Sequence, residues 1–316
     1  LPVALASGKV TLRPYSVVHS LIYDHGTQRV TGVRLIDGQS RKALEYRAKI
    51  VFLCASTLES ARILLNSSTP QFPNGLANSS GELGHNLMDH VTGSGASGMM
   101  PGWEDKIDVG DRPNGIYIPR FRNVKSKSQF LRGYGYQGGA GRSDWERGEK
   151  LAGFGKDFKR SLKNPGPWYF GVGSFCECLP NHNNYVELDR TRTDAWGIPV
   201  LKINCAYGAN EKALLQDAAI AAAEMLAAAG ARDIQTFLEQ DAPGLAIHEM
   251  GTARMGRDPK TSVLNAYNQA HDVKNLFVTD GACMASSSCV NPSITYMALT
   301  ARACHYAVEQ MKQGEI

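Results

Sequence analysis

The sequence predicts an α/β (α+β) protein in which a layer built from both ends of the chain flanks a sheet-rich insertion. Three observations lead there. A continuous apolar run, KIVFLCA at 49–55, passes directly into a helical segment, STLESARILLNSS. A second unit of the same kind lies near the C-terminal end: NLFVTDG at 275–281, a loop of small residues, then a long amphipathic helix. Between them the texture changes, with frequent Gly, Pro, Ser, Asn and Asp and poor helical periodicity from about 67 to 165. Unbroken apolar runs suit buried strands, and strand–turn–helix units build α/β layers.

The elements follow in order. Residues 9–18 (KVTLRPYSVV) and 29–36 (RVTGVRLI) read as strands with a turn around Asp24-His25-Gly26. Behind the 49–55 strand, Ser56 with Glu59 fits a capping box, and Leu58, Ala61, Ile63, Leu64 and Leu65 supply the apolar positions of a helix. The 67–165 stretch reads as long loops with short strands. Residues 168–178, 184–189 and 199–205 read as strands of an antiparallel sheet. The clearest helix is 210–229, with Asn210 as N-cap and Gly230 placed to end it. After the strand at 275–281, Asn291 at the N-cap and Pro292 at the first helical position open the last helix. No internal repeat is present.

Composition narrows the function classes. The 316 residues are 43% hydrophobic and 20% charged, a balance that supports a sizeable core. The net charge is +4 with acids and bases interleaved, so no basic run is available to track a phosphate backbone, and nucleic acid is a poor partner. No stretch of about 18 apolar residues exists, so no transmembrane helix is expected. Seven scattered cysteines do not form a small disulfide scaffold, and they mildly favour a reducing compartment. Cys176 and Cys178 read as small buried residues. The opening LPVALASGKV reads as the interior of a longer chain, with any leader lying upstream. The reading leaves a cytoplasmic or a periplasmic location open.

Most motif matches fail on context. Gly133-Tyr-Gly135-Tyr-Gln-Gly138 matches GxGxxG, but no apolar helical face follows, so a flexible loop is expected instead of a dinucleotide fingerprint. His85 and His90 are five apart, not the four that puts two ligands on one helix face, so no metal site is expected. No GxSxG nucleophile elbow occurs. More informative is His-Glu-Met-Gly-Thr-Ala-Arg-Met-Gly at 248–256, followed forty-three residues after His248 by Asn291-Pro-Ser-Ile-Thr. Taken singly, His248 could be an ordinary satisfied histidine and Asn291 merely a helix cap.

Taken together, the segment from HEMGTARMG through NLFVTDGACMASSSCVNPSITYMALTARAC resembles the C-terminal signature of the glucose–methanol–choline (GMC) oxidoreductases. It is most similar to the branch with pyranose oxidase and the sugar and gluconate dehydrogenase flavoproteins. KIVFLCASTLESARILLNSS, GELGHNLMDHV and LPNHNNYVELDRTRTDAWGIPVLKI extend the likeness to the N-terminal and middle parts. The resemblance implies the C-terminal part of a Rossmann-like FAD-binding domain plus an antiparallel-sheet substrate domain. The division is 1–92 (FAD part), 93–245 (substrate part) and 246–316 (FAD part with the catalytic residues). It departs from the family in one respect: the N-terminal strand–GxGxxG–helix unit is absent, and it is expected on a preceding portion or a separate subunit.

The resemblance implies FAD as cofactor and oxidation of a sugar or glycoside hydroxyl to a carbonyl, with hydride passing to flavin N5. It makes His248 and Asn291 the catalytic pair. A histidine, with an unperturbed pKa of about 6.5, suits removal of the hydroxyl proton, and the Asn291 amide can donate to the developing alkoxide. By the same likeness Asn291, Pro292 and Thr295 lie at the pyrimidine edge of the flavin, near a helix N-terminus. Asp280 and Gly281 lie toward the ribityl–pyrophosphate region, Val18 toward the adenine, and Ala55 and Ser56 toward the ADP moiety. An oligomer is possible on this reading, and no resident metal is expected. Two other function classes stand beside it: a non-catalytic subunit lacking FAD, which the missing fingerprint favours, and a metal-dependent hydrolase, which has little support. The intact His248 and Asn291 argue against the first.

Overall fold

A computed structural model describes residues 1–107 and 115–316; residues 108–114 of the expected loop-rich stretch lie outside the described residues. In chain order the elements are α1 (Pro2–Ala6), β1 (Ser16–Asp24), β2 (Arg29–Asp37), β3 (Ala43–Arg47), β4 (Val51–Leu53), α2 (Thr57–Leu65), β5 (Ser94–Met100), β6 (Gly115–Ile118) and β7 (Tyr134–Arg142). They continue with α3 (Gly155–Ser161), β8 (Trp168–Cys176), β9 (Tyr185–Thr193), β10 (Pro199–Asn204), α4 (Ala209–Ala228), β11 (Arg232–Leu238), β12 (Leu276–Val278) and α5 (Ser293–Lys312).

The two ends of the chain meet as expected. β4 pairs in parallel with β12, Val51 opposite Leu276 and Leu53 opposite Val278. The join is fixed by the buried side chain of Asn275. Its Oδ1 accepts from the Val30 N–H at 3.0 Å, and its Nδ2 donates to the carbonyls of Val30 (2.6 Å) and Lys49 (2.7 Å). A buried amide that uses its donors and its acceptor on backbone stitches three segments at once. α5 covers β4 and β12 through Ala303, Ala307 and the stacked rings of Phe52 and Phe277. β1, β2 and β3 form an antiparallel sheet beside this layer, and α2 packs on β1 and β9.

The middle of the chain builds a five-stranded antiparallel sheet in the order β11-β5-β8-β7-β6. α4 lies along one face, burying Leu214, Leu215, Ala218, Ala222 and Leu226 against Val172, Cys176 and Tyr136. The other face carries Gln137 and Phe175, which reach Asn291 and His248.

Several local expectations change. The first strand begins at Ser16 instead of residue 9, because Pro14 has no N–H to give and Tyr15 takes a φ of 54°. β3 (ALEYR) was not foreseen; it is a short, largely exposed edge strand of five residues. The capping box at Ser56 does not form: Ser56 has a φ of 78° and makes no side-chain cap, and Glu59 pairs with Arg62 at 3.3 Å. On α4 the cap is Gly208, whose N–H is held by Glu211 at 2.9 Å, while Asn210 bonds the backbone of Leu131. Gly230, at φ 91°, ends that helix as expected. The three expected strands of one antiparallel sheet are divided: β8 joins the large sheet and β9–β10 form a separate hairpin. The GxGxxG stretch runs into the interior strand β7, not a loop; a Cβ on Gly138 would lie 2.0 Å from the Gly171 carbonyl oxygen, so close strand packing explains that glycine.

Candidate active site

The site is organised from beneath by Asp89. This carboxylate is buried, 1% exposed, and accepts four backbone N–H groups. Oδ1 takes those of His90 (2.8 Å) and His248 (3.1 Å), and Oδ2 takes those of Gly244 (2.8 Å) and Ala246 (3.2 Å). Reciprocal backbone bonds between Met88 and Met250, 2.8 Å each, fasten the same two segments. Ile247 holds a φ of 56°, a left-handed conformation that β-branched residues rarely take. The carboxylate therefore fixes a tight turn that aims the His248 ring.

His248 and Asn291 come together, with Nε2 and Nδ2 3.3 Å apart. Gln137 on β7 donates from Nε2 to Asn291 Oδ1 at 2.7 Å, which leaves the Asn291 amide nitrogen facing His248. An amide nitrogen only donates, so His248 Nε2 must present its lone pair. The His248 proton then sits on Nδ1, which lies 3.0 Å from Nδ1 of His90. His90 accepts it and carries its own proton on Nε2. That nitrogen is buried without a hydrogen bond of normal geometry, although the Ser288 backbone beside the ring raises the His90 pKa as an acceptor does. The chain Gln137–Asn291–His248–His90 thus selects one tautomer of His248, the one with a free basic nitrogen toward Asn291. Phe175 packs edge-on to His90, with ring centroids 5.6 Å apart, and completes the apolar wall. The expectation that Asn291 caps the last helix is corrected: the helix starts at Ser293 after Pro292, with no side-chain cap, and the Asn291 side chain is used in the site.

Burial, and then the neighbouring His248, push the His90 pKa down from 6.5 to about 4. A histidine whose folded pKa is lowered binds a proton in the unfolded chain first, so stability is full above about pH 6.5 and declines as pH falls toward 4. The expected decline is about 3 kcal/mol across that window. Urea melts at pH 7 and pH 4.5 check it: His90→Asn should flatten the dependence, and an unchanged slope would contradict the assignment.

A second group of residues adjoins this one. The parallel strands β4 and β12 lead, two residues past their ends, into Ala55-Ser56 and Asp280-Gly281, and the carboxyl ends of such strands are where α/β folds hold nucleotides. The Asp280 carboxyl is raised by burial, opposed by hydrogen bonds from Ser60 Oγ (2.5 Å) and from the Ala282 (2.9 Å), Ser56 and Ala55 N–H groups. A Cβ on Gly281 would meet Thr57 Oγ1 at 2.3 Å and the Glu249 carbonyl at 2.4 Å. Only glycine therefore lets this loop close against the His248 segment. The Tyr296 hydroxyl lies beside it, buried and without a partner. An orphaned buried donor, together with a helix N-terminus whose backbone bonds begin only at Thr295, fits a group carrying acceptor oxygens.

The expected site residues therefore fall into two adjoining groups, His248 with Asn291 and Ala55, Ser56, Asp280 and Gly281, linked by the Gly251 N–H bond to the Gly281 carbonyl at 3.0 Å. Pro292 immediately precedes α5 and Thr295 lies in its first turn. Val18 sits at a bulge of β1 and packs on the apolar core; no side-chain hydrogen bond among the described residues joins it to either group. Asp89, His90, Gln137 and Phe175 were not foreseen. His90 was weighed only as a metal ligand. It instead parts from His85, which stacks on His182 with centroids 3.8 Å apart. Among the described residues no cluster of three or more His, Cys, Asp or Glu is set to hold a metal ion, and no helix is long and apolar enough to cross a membrane.

Two family models described as GMC oxidoreductase match the chain, the N-terminal one over residues 1–92 and the C-terminal one over 180–300. The 2-methyl-1,2-propanediol dehydrogenase of Mycolicibacterium austroafricanum is 32% identical over 96% of this chain and 55% of its own length. The fructose dehydrogenase large subunit of Gluconobacter japonicus is 28% identical over 95% of this chain and 54% of its own. The chain thus spans about half the length of the curated relatives it matches. Among solved structures, an Aspergillus oryzae formate oxidase superposes with a TM-score of 0.67 at 12% identity, covering 96% of this chain and 62% of that one. Pyridoxine 4-oxidase from Mesorbium loti gives 0.58 at 19%, covering 94% and 57%. These likenesses show the shared fold.

Proposed function

This chain belongs to the GMC oxidoreductase family, and from that premise we propose that it carries the catalytic face of an FAD-dependent oxidoreductase that oxidises a CH–OH group, with a sugar or glycoside as substrate. The observation that carries the reading is the basic nitrogen of His248 held 3.3 Å from an amide donor, with its tautomer set from behind. Relatives named for fructose and for 6'''-hydroxyparomomycin C support a carbohydrate, while the one named for 2-methyl-1,2-propanediol makes small diols the necessary comparison. The segments 1–92 and 246–316 are proposed as the cofactor side and 93–245 as the substrate side.

FAD, when bound, supplies the acceptor for the hydride that leaves the carbinol carbon. Asp280, Gly281, Ala55 and Ser56 are proposed to hold it, with Val18 toward its adenine end and Pro292 and Thr295 beside its ring. The residues of this chain handle the proton. His248 Nε2 removes it from the substrate hydroxyl, and Asn291 Nδ2 donates to the oxygen as it gains charge. His90, kept neutral by burial, accepts the Nδ1 proton of His248 throughout, so the ring cannot turn its protonated nitrogen toward the substrate. Asp89 holds both backbones in place and adds a negative charge behind the imidazolium as it forms.

The test is an anaerobic visible spectrum of the FAD-loaded protein with sugars, glycosides and short diols. Bleaching by sugars or glycosides upholds the reading; bleaching by diols alone corrects the substrate class. Removing one oxyanion donor costs on the order of 10²-fold in rate, so Asn291→Ala should slow bleaching about that much. Retention of the full rate would remove Asn291 from the mechanism.

A further inference from the structure

The open face of the five-stranded sheet has an unusual floor. Its register is continuous from β5 through β8 to β7, so rows of residues can be read across it. One row runs Phe237, Gly95, Gly173, Gln137, Tyr117; the next runs Gln235, Ser97, Gly171, Gly139, Gly115. A third holds Met99, Tyr169 and Gly141. These share one face with Phe175, which touches the histidine pair, while Val172, Ser174 and Cys176 point into the core under α4. The centre of the face is therefore bare backbone whose polar groups are used in the ladder. Exposed rings stand around it: Tyr117 at 51%, Tyr169 at 49% and Phe237 at 40%.

Sheet packing does not demand the central glycines. A Cβ on Gly171 would meet Ser97 Cβ at 3.5 Å and the Ala96 carbonyl oxygen at 3.8 Å, both ordinary contacts; one on Gly173 would meet only the Gln137 carbonyl at 3.9 Å, and one on Gly141 nothing. Gly95 differs, since Val172 O and the Phe237 ring leave no room there. Glycine inside a strand is destabilising by roughly 0.5–1 kcal/mol relative to alanine, so glycines that packing does not require point to space kept for something else.

We propose that this face is a substrate subsite for a second ring, which makes the preferred substrate a glycoside with a ring-shaped aglycone or a second sugar. The inference rests on the proposed oxidation of a sugar hydroxyl. Gln137 ties the floor to the reaction, because its amide holds Asn291. From Gln137 to the Gly141–Tyr169 row is four residues of strand, about 13 Å, enough for a ring beyond the reacting one. Flat backbone suits the C–H face of a pyranose or the face of an aromatic ring. Tyr169 and Phe237 supply stacking surfaces, and Ser97 and Gln235 supply hydrogen bonds to hydroxyls at the ring edge.

The experiment uses the FAD-loaded protein and two probes, glucose and phenyl glucoside, with calorimetric binding to the oxidised enzyme alongside kcat/KM. Wild type should bind the phenyl glucoside about tenfold or more tightly than glucose, and Gly171→Val should erase that difference by filling the floor while changing glucose binding little. Gly171→Ala, whose Cβ makes an ordinary contact, and the melting temperature serve as folding controls. Equal affinity for both probes in wild type, a Gly171→Val loss common to both, or no binding of phenyl glucoside overturns the subsite. If the glucoside binds in this Gly171-dependent way but no sugar bleaches the flavin, the subsite stands and the proposed reaction fails.

Discussion

His248→Ala is expected to slow anaerobic flavin reduction by about 10²–10⁴-fold while FAD remains bound, the range that a positioned general base contributes. The reasoning is geometric. His248 Nε2 faces the Asn291 amide nitrogen, and a nitrogen donor on that side requires a lone pair on the histidine. Among the described residues no other histidine is placed beside Asn291 to substitute. His90 has its Nδ1 committed to His248, and its Nε2 is buried. His248→Gln keeps a polar side chain but no basic nitrogen, so it should be as slow as alanine. Stopped-flow absorbance under argon measures both. Reduction at near wild-type speed in either variant would show that the base lies elsewhere.

Asp89→Ala is expected to destabilise the fold by more than about 3 kcal/mol, since hydrogen bonds to a charged group contribute about 1.5–3 kcal/mol each, and four, not strictly additive, share this carboxylate. The loss is also expected to lower activity by more than the folded fraction alone accounts for, because the 244–248 turn loses the contact that orients His248. Asp89→Asn separates the two roles. It keeps the shape but replaces one acceptor by a donor that faces backbone N–H groups. It should therefore fold less stably than wild type and reduce flavin more slowly while still populated. Urea melts and rates corrected for folded fraction give the measurement. An Asp89→Asn protein with wild-type rate and stability would contradict the role assigned to the carboxylate.

The parts of this fold that could be read in the sequence are those with strong local signals. The α/β units at 51–65 and 276–312 announce themselves through apolar runs followed by helical periodicity. The five-stranded sheet did not. Three of its strands lie in the stretch taken for loops, because β7 reads YGYQGGAGR and β5 reads SGASGMM, where glycine replaces the alternating side chains that mark a strand. Gly95, Gly139 and Gly141 among them lie on the face proposed as the subsite. His248 and Asn291 were legible because a long family pattern surrounds them. Asp89, His90 and Gln137 were not, since each acts through a partner far away in sequence: Gln137 is 154 residues from Asn291, and His90 is 158 from His248. Caps misled in a consistent way. Ser56 and Asn291 have the residue types of helix caps, yet Ser56 leaves its helix uncapped at a φ of 78° and Asn291 turns its amide toward His248.

The central claim is that His248, with its proton held on Nδ1 by His90, takes the substrate's hydroxyl proton. The most direct measurement is the pH dependence of the anaerobic flavin-reduction rate at saturating substrate, compared between wild type and His248→Ala. The account predicts that the wild-type rate rises through one ionisation and then levels off. In the variant that step disappears and the residual rate climbs with hydroxide concentration. The same ionisation persisting in His248→Ala would contradict the account and assign the proton to another group.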